Sequence, residues 1–116
     1  MYNYNIINDQ LYTVYIGKSV KPEKKYTAVI FDKNNNFIGH VNFGATGYSD
    51  YILSGGDENK KRAYIARHSK MNEDWTINGI NTAGFFARWI LWNQKTLKDS
   101  IKDTEKRFNI KINYVE

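Results

Sequence analysis

The sequence predicts an α+β fold: a small antiparallel sheet with about three helices packed on one face. The sheet is expected from N-terminal strands, a hairpin and a C-terminal strand. Strand-like runs fill the first half of the chain, helix-like runs fill the second, and one alternating run closes it. Between them lies Asn81-Thr-Ala-Gly-Phe-Phe-Ala-Arg-Trp-Ile-Leu-Trp-Asn93, in which four large aromatics, Ile90 and Leu91 surround one charge, Arg88. So apolar a segment is unsuited to a wet surface, and it marks the core.

Residues 11–17, Leu-Tyr-Thr-Val-Tyr-Ile-Gly, are β-branched and aromatic and read as the first strand. A basic, turn-like stretch follows from Lys18 to Lys25, with the only proline, Pro22. Tyr26-Thr-Ala-Val-Ile-Phe and Phe37-Ile-Gly-His-Val-Asn-Phe then flank the polar loop Asp32-Lys-Asn-Asn-Asn36, whose residues tolerate positive φ; this is a hairpin. After Gly44-Ala-Thr-Gly47, residues 48–53 read as a short strand or an ordered loop, broken by Ser54-Gly-Gly-Asp57.

Acidic residues at 57–58 and basic ones toward 70 suit the helix dipole, so a first helix is expected over about 57–69, with Asp57 as its own cap. The aromatic helix runs from about 82 to 92, capped by Asn81 or Thr82. At 100° per residue, Phe85, Phe86, Trp89, Ile90 and Trp92 cover about half its circumference, and Leu91 falls outside. Thr96-Leu-Lys-Asp99 resembles a capping box and opens a third helix to about 108, with a thin stripe of Leu97, Ile101, Thr104 and Phe108. Asp103 and Arg107 are i, i+4 neighbours on it. The tail Asn109-Ile-Lys-Ile-Asn-Tyr-Val115 alternates and closes the sheet.

At 116 residues the chain fits one domain, residues 1–116. It has no cysteine, which excludes disulfides, thiolate nucleophiles and zinc–thiolate sites. The segment Met1-Tyr-Asn-Tyr-Asn-Ile-Ile-Asn-Asp lacks a basic and an apolar leader region, and no run approaches the ~18 apolar residues of a spanning helix, so no secretory leader and no membrane partner are expected. The formal charge is +5 and the pI about 9.3, which draws the protein to polyanions. Abundant Asn, Lys, Ile and Tyr hint at an AT-rich genome.

Taken in order, Phe43-Gly-Ala-Thr-Gly-Tyr-Ser-Asp-Tyr51, Arg62-Ala-Tyr-Ile-Ala-Arg-His68, Trp75, and Thr82-Ala-Gly with Arg88-Trp-Ile-Leu-Trp-Asn93 resemble a family of short uncharacterised proteins of giant nucleocytoplasmic large DNA viruses. Mimivirus-like and algal-virus relatives are among them. The resemblance spans roughly residues 26–108. It implies a viral origin, an intracellular setting in host cytoplasm or viral factory, and packaging into the virion. It transfers no catalytic residue.

The expected functional surface is the basic face of the first helix. Lys60, Lys61, Tyr64, Arg67 and His68 fall on neighbouring stripes, with Lys70 beyond, and combine phosphate-binding cations with rings that can stack. Lys18, Lys21, Lys24 and Lys25 form a second cluster that extends this face if the loop lies beside the helix; about five phosphates would then be neutralised, for a log–log salt slope near −4 to −5. Arg88 requires a partner or a route to water, and Asp50 is the expected one, with Glu73 and Asp74 as alternatives. No carboxylates cluster with a histidine at ligand spacing, so neither metal nor cofactor is expected.

The leading expectation is a non-enzymatic viral accessory protein that binds DNA or RNA with little sequence specificity. A virion or viral-factory interaction module is the second, a homodimer or one docking a viral protein through aromatics near Trp75 and Tyr48–Tyr51. The third is a small ribonuclease-like enzyme using the only histidines, His40 and His68.

Overall fold

Period-two alternation decides what the sheet hides, and helix caps decide where the remaining chain turns. The structure, a computed structural model, describes residues 10–116; the N-terminal stretch read above for a leader lies outside them. Three strands come first, β1 (Tyr12–Lys18), β2 (Lys24–Asp32) and β3 (Phe37–Ala45). Then come α1 (Glu58–His68), a 3-10 turn at Ile77–Gly79, and α2 (Ala83–Phe86), which runs on as a π-helical turn over Ala87–Leu91. Helix α3 (Leu97–Phe108) and strand β4 (Lys111–Val115) finish the chain. The fold is α+β, with sheet order β3-β2-β1-β4.

One expectation about the sheet needs correction. β1, β2 and β3 are antiparallel neighbours, but β4 pairs with β1 in parallel, giving a mixed sheet. Alternation marks a strand without fixing its direction; the connection does that. Here the chain crosses the helical layer, reverses after α3 at Asn109 (φ 55°), and returns along the open edge of β1. The Glu105 carboxylate accepts from the Ile112 N–H at 2.8 Å, which ties the new strand to α3.

On one face, Val14 and Ile16 (β1), Ala28 and Ile30 (β2), Phe43 (β3) and Ile112 (β4) are buried against the helices. Phe86 stacks on Phe43 at 5.5 Å, and Phe85 meets Phe108 at 5.1 Å. The opposite face holds Thr13, Tyr15 and Gly17, which pair across β2 with Phe31, Val29 and Thr27. It continues to Phe37, His40 and Asn42 on β3 and to Lys111, Asn113 and Val115 on β4.

Local signals held well at element ends. Asp32 closes the hairpin by accepting from the N–H groups of Asn34 and Asn36, with Asn35 at φ 69°. Thr82 and Thr96 cap their helices through the N–H groups of Phe85 and Asp99. Of the two readings of residues 48–53, the structure takes the loop, with turns at 51–53.

The π-helical turn changes which side chains point inward. Its closing bond runs from the Trp92 N–H to the Ala87 carbonyl, a five-residue step, so the 100° wheel fails there. Leu91, expected outside the apolar arc, is buried, and Trp92 is only half-buried. The stripe on α3 shifts likewise. Ser100 and Thr104 are fully buried, while Leu97, Ile101 and Phe108 flank them. Small side chains let α3 approach the backbone of the aromatic segment closely.

Thr104 makes that approach specific. Its Oγ1 lies 3.1 Å from the Trp89 carbonyl and 2.7 Å from that of Ser100. Replacement Thr104→Val keeps the shape and strands the Trp89 carbonyl, so urea unfolding should reveal a loss of about 1–3 kcal/mol. An unchanged midpoint would mean that this hydroxyl does not join α3 to the segment.

Candidate nucleic-acid interface

Helix α1 starts where a glycine pair ends. Asp57 caps it, its Oδ1 accepting from the N–H groups of Asn59 (2.9 Å) and Lys60 (3.2 Å). The helix terminus is thus closed by its own carboxylate, as its sequence suggests. Downstream, Tyr64 is the one residue of α1 that is buried. Its ring stacks on His68 at 4.1 Å and on Trp92 at 4.6 Å, which docks α1 on the end of the aromatic segment.

This docking leaves a cleft of about 480 Å³ between α1, the start of β2 and the end of β3. Lys24 and Lys25 stand on one rim, and Lys60, Arg67 and His68 on the other. Tyr48, largely exposed, is at the mouth; Ala87, Leu91 and Trp92 contribute to the floor. Gly44 has φ +80°, and a Cβ there would lie 2.8 Å from Leu91 Cδ1, so glycine is what lets β3 approach that floor. The two basic clusters of the sequence do meet, but only in part.

Hydrogen bonds and ion pairs sort the cations. Lys25 Nζ is 2.6 Å from Asp50 Oδ2 and 2.7 Å from the Tyr48 carbonyl, so its charge is neutralised in place. His68 Nδ1 lies 2.8 Å from Glu73 Oε2, while Glu73 Oε1 accepts from the Trp75 indole at 2.9 Å. Lys61 faces away from the proposed ligand surface: its Nζ donates to the Asn93 carbonyl at 2.6 Å and sits 4.6 Å over the Tyr51 ring. Burial lowers its pKa, and the nearby Arg88 lowers it further, against Glu58 and Asp103. Lys61 therefore leaves the predicted set. Lys18 and Lys21 line a different depression, with Pro22 and Leu53, and Lys70 lies past the end of α1. Among the described residues, Lys24, Lys60 and Arg67 line the cleft without an ion pair.

Arg88 also departs from expectation. Asp50 is engaged by Lys25 and by the Leu53 N–H at 2.8 Å. Arg88 turns back on its own helix and donates to the Trp92 carbonyl at 2.7 Å, with its guanidinium 4.3 Å from the Trp89 ring. Burial lowers its pKa, with Arg107 adding to the effect. A cation at a helix C-terminus needs no carboxylate when carbonyls are there to accept.

His40 and His68 are not brought together. His40 pairs with Val29 on the sheet face away from the helices, whereas His68 lines the cleft on the helical side. No group of His, Asp and Glu among the described residues is placed to hold a metal ion, and no described helix is long and apolar enough to cross a membrane. Glu73, which positions both His68 and Trp75, is the cleft residue that sequence reasoning undervalued. Its only signal was its place five residues beyond His68, just past the end of the helix.

The cleft draws on β2, β3, α1 and the aromatic segment. Residues 14–68 match a family of unknown function (DUF5754). The likeness is to an uncharacterised domain family; it takes in β1 but not the aromatic segment, whereas the resemblance noted from motifs ran over 26–108. No curated protein and no solved structure matches the chain.

Tyr64 carries the clearest pH signature. Its hydroxyl is buried and has no hydrogen-bond partner among the described residues. Burial raises its pKa well above the ordinary phenol range, Glu73 adds to the rise, and Arg88 and Arg67 oppose it. The folded state therefore keeps a proton that the unfolded chain releases near pH ~10, and this contribution to stability is lost as pH climbs beyond that value. Tyr64→Phe should be no less stable than the parent at neutral pH and should lose less stability in alkali, as read by urea midpoints. An alkaline profile equal to the parent's would contradict this placement of the phenol.

Proposed function

We propose that the protein binds nucleic acid through the cleft between α1 and the start of β2, gripping backbone phosphates with Lys24, Lys60 and Arg67 and catalysing no reaction. The observation that carries this reading is the convergence of those three cations, without ion pairs among the described residues, on one concave surface beside exposed Tyr48. Phosphate contacts of this kind supply affinity and little sequence information. The net charge of +5 favours the same partner at longer range. Separation of the two histidines by the sheet speaks against a paired-imidazole nuclease. The motif resemblance supports a viral accessory role in the host cytoplasm or viral factory, with carriage in the particle.

Fewer cations contribute than the sequence suggests, and the salt dependence should reflect that. Three phosphate contacts give a log–log salt slope of roughly −3 on duplex DNA and roughly −2 on a single strand. Arg67→Gln should reduce the slope by about one unit and weaken all sequences alike. Absence of any shift of duplex or single-stranded oligonucleotides at low salt would overturn the proposal.

A further inference from the structure

Helix α3 and strand β4 border a groove of about 310 Å³ at the edge of the sheet opposite β3. Its apolar wall is made by Leu97 and Ile101 of α3 with Ile112 and Tyr114 of β4. Lys98 and Lys102 line it from the helix, one turn apart; both are exposed and, among the described residues, neither has an ion pair. Glu105 is the one acidic residue lining the groove, and it is already engaged. Its carboxylate accepts from the Ile112 N–H at 2.8 Å and lies 3.9 Å from Lys111 Nζ. Lys111 and Glu105 offset each other, so Lys98 and Lys102 leave the groove positively charged beside an apolar wall.

Strand β4 adds a second feature. It is the last strand on its side of the sheet and, among the described strands, pairs with β1 alone. The Ile112 N–H points to Glu105 and so away from β1. Backbone groups alternate in direction along a strand, so the Ile112 carbonyl and both backbone groups of Tyr114 point the same way, with no strand to meet them. Such an edge is a template for another extended chain. Glu105 blunts it at one N–H and leaves the other groups open, so a segment can add along β4 without displacing that carboxylate.

The three features together select the occupant. A second copy pairing edge to edge would set its α3 beside this one, lysine against lysine. The phosphates of a nucleic acid would meet the lysines but use neither the aliphatic wall nor the strand edge. An extended peptide with Asp or Glu among aliphatic residues uses all three. We propose that this groove docks an acidic, extended segment of a partner protein, which adds to the β4 edge, seats an aliphatic side chain against Ile101 and Ile112 and pairs its carboxylates with Lys98 and Lys102. The groove lies at the opposite sheet edge from the cleft and does not depend on the phosphate grip proposed there.

The probe is a fluorescein-labelled octapeptide of alternating Asp and Val, titrated onto the whole chain by anisotropy at low salt, with Lys–Val and Asp–Ser octapeptides as controls. The Asp–Val peptide should bind, and both controls should bind more weakly, one lacking the charge and the other the apolar side chains. Lys98→Gln/Lys102→Gln, at two exposed helix positions, should weaken the Asp–Val peptide by about fivefold and flatten its salt dependence. In ¹⁵N spectra the Tyr114 amide should shift on adding this peptide, and the Arg67 amide of the cleft should not. Failure of the Asp–Val peptide to bind, or equal affinity for the parent and the double lysine variant, overturns the docking site while leaving the cleft proposal standing. An oligonucleotide that moves the Tyr114 amide where the peptide does not overturns it in favour of nucleic acid. A dimer that forms without peptide and shields the Tyr114 amide overturns it in favour of a second copy.

Discussion

The end of the aromatic segment is a set of backbone carbonyls in an apolar setting, and the rest of the molecule is arranged to satisfy them. A helix leaves its last carbonyls without internal partners, and burying them unpaired is costly. Four are answered from four places. Trp89 faces the Thr104 hydroxyl of α3, Leu91 accepts from the Tyr51 N–H, Trp92 from Arg88, and Asn93 from Lys61 of α1. Three of these bonds tie another part of the chain to the same short stretch, and the fourth, from Arg88, closes it on itself. The π-helical turn that rotates Leu91 inward belongs to this same end, and so does the stack of Tyr64 on Trp92.

This constraint separates basic residues held by the fold from those left to line the cleft. Lys61 and Arg88 serve carbonyls, and Lys25 holds the buried carboxylate of Asp50 under the loop at 48–53. Arg107 pairs with Asp103 and lies 4.4 Å over the Trp89 ring. Lys25, Lys61 and Arg88 cannot meet a ligand without loosening the fold. Lys24, Lys60 and Arg67 have no such duty among the described ion pairs, and all three fall on one cleft. A charge count treats both populations alike, which is why it overstates the cationic surface.

Much of the fold was legible because its signals are local. Asp57, Thr82 and Thr96 cap helices a few residues away, and Asp32 folds a hairpin around itself; each needs only its neighbours in sequence. What failed to show was either non-local or a departure from regular helix geometry. The direction of β4 depends on a crossover, the burial of Leu91 on a π-turn, and the partner of Arg88 on a carbonyl rather than an acid. The candidate site divides the same way. Lys60 and Arg67 were readable as one helical stripe, but the removal of Lys61 from it depends on Asn93, far along the chain.

The most direct test compares two adjacent lysines. Lys60→Met and Lys61→Met should be measured side by side for unfolding free energy and for oligonucleotide affinity at fixed low salt. The account predicts that Lys61→Met costs about 1–3 kcal/mol of stability and leaves affinity near that of the parent. Lys60→Met should change stability by no more than about 0.5 kcal/mol and weaken binding. The reverse pattern, with Lys61 governing affinity and Lys60 stability, would contradict the division of cations on which the cleft is built.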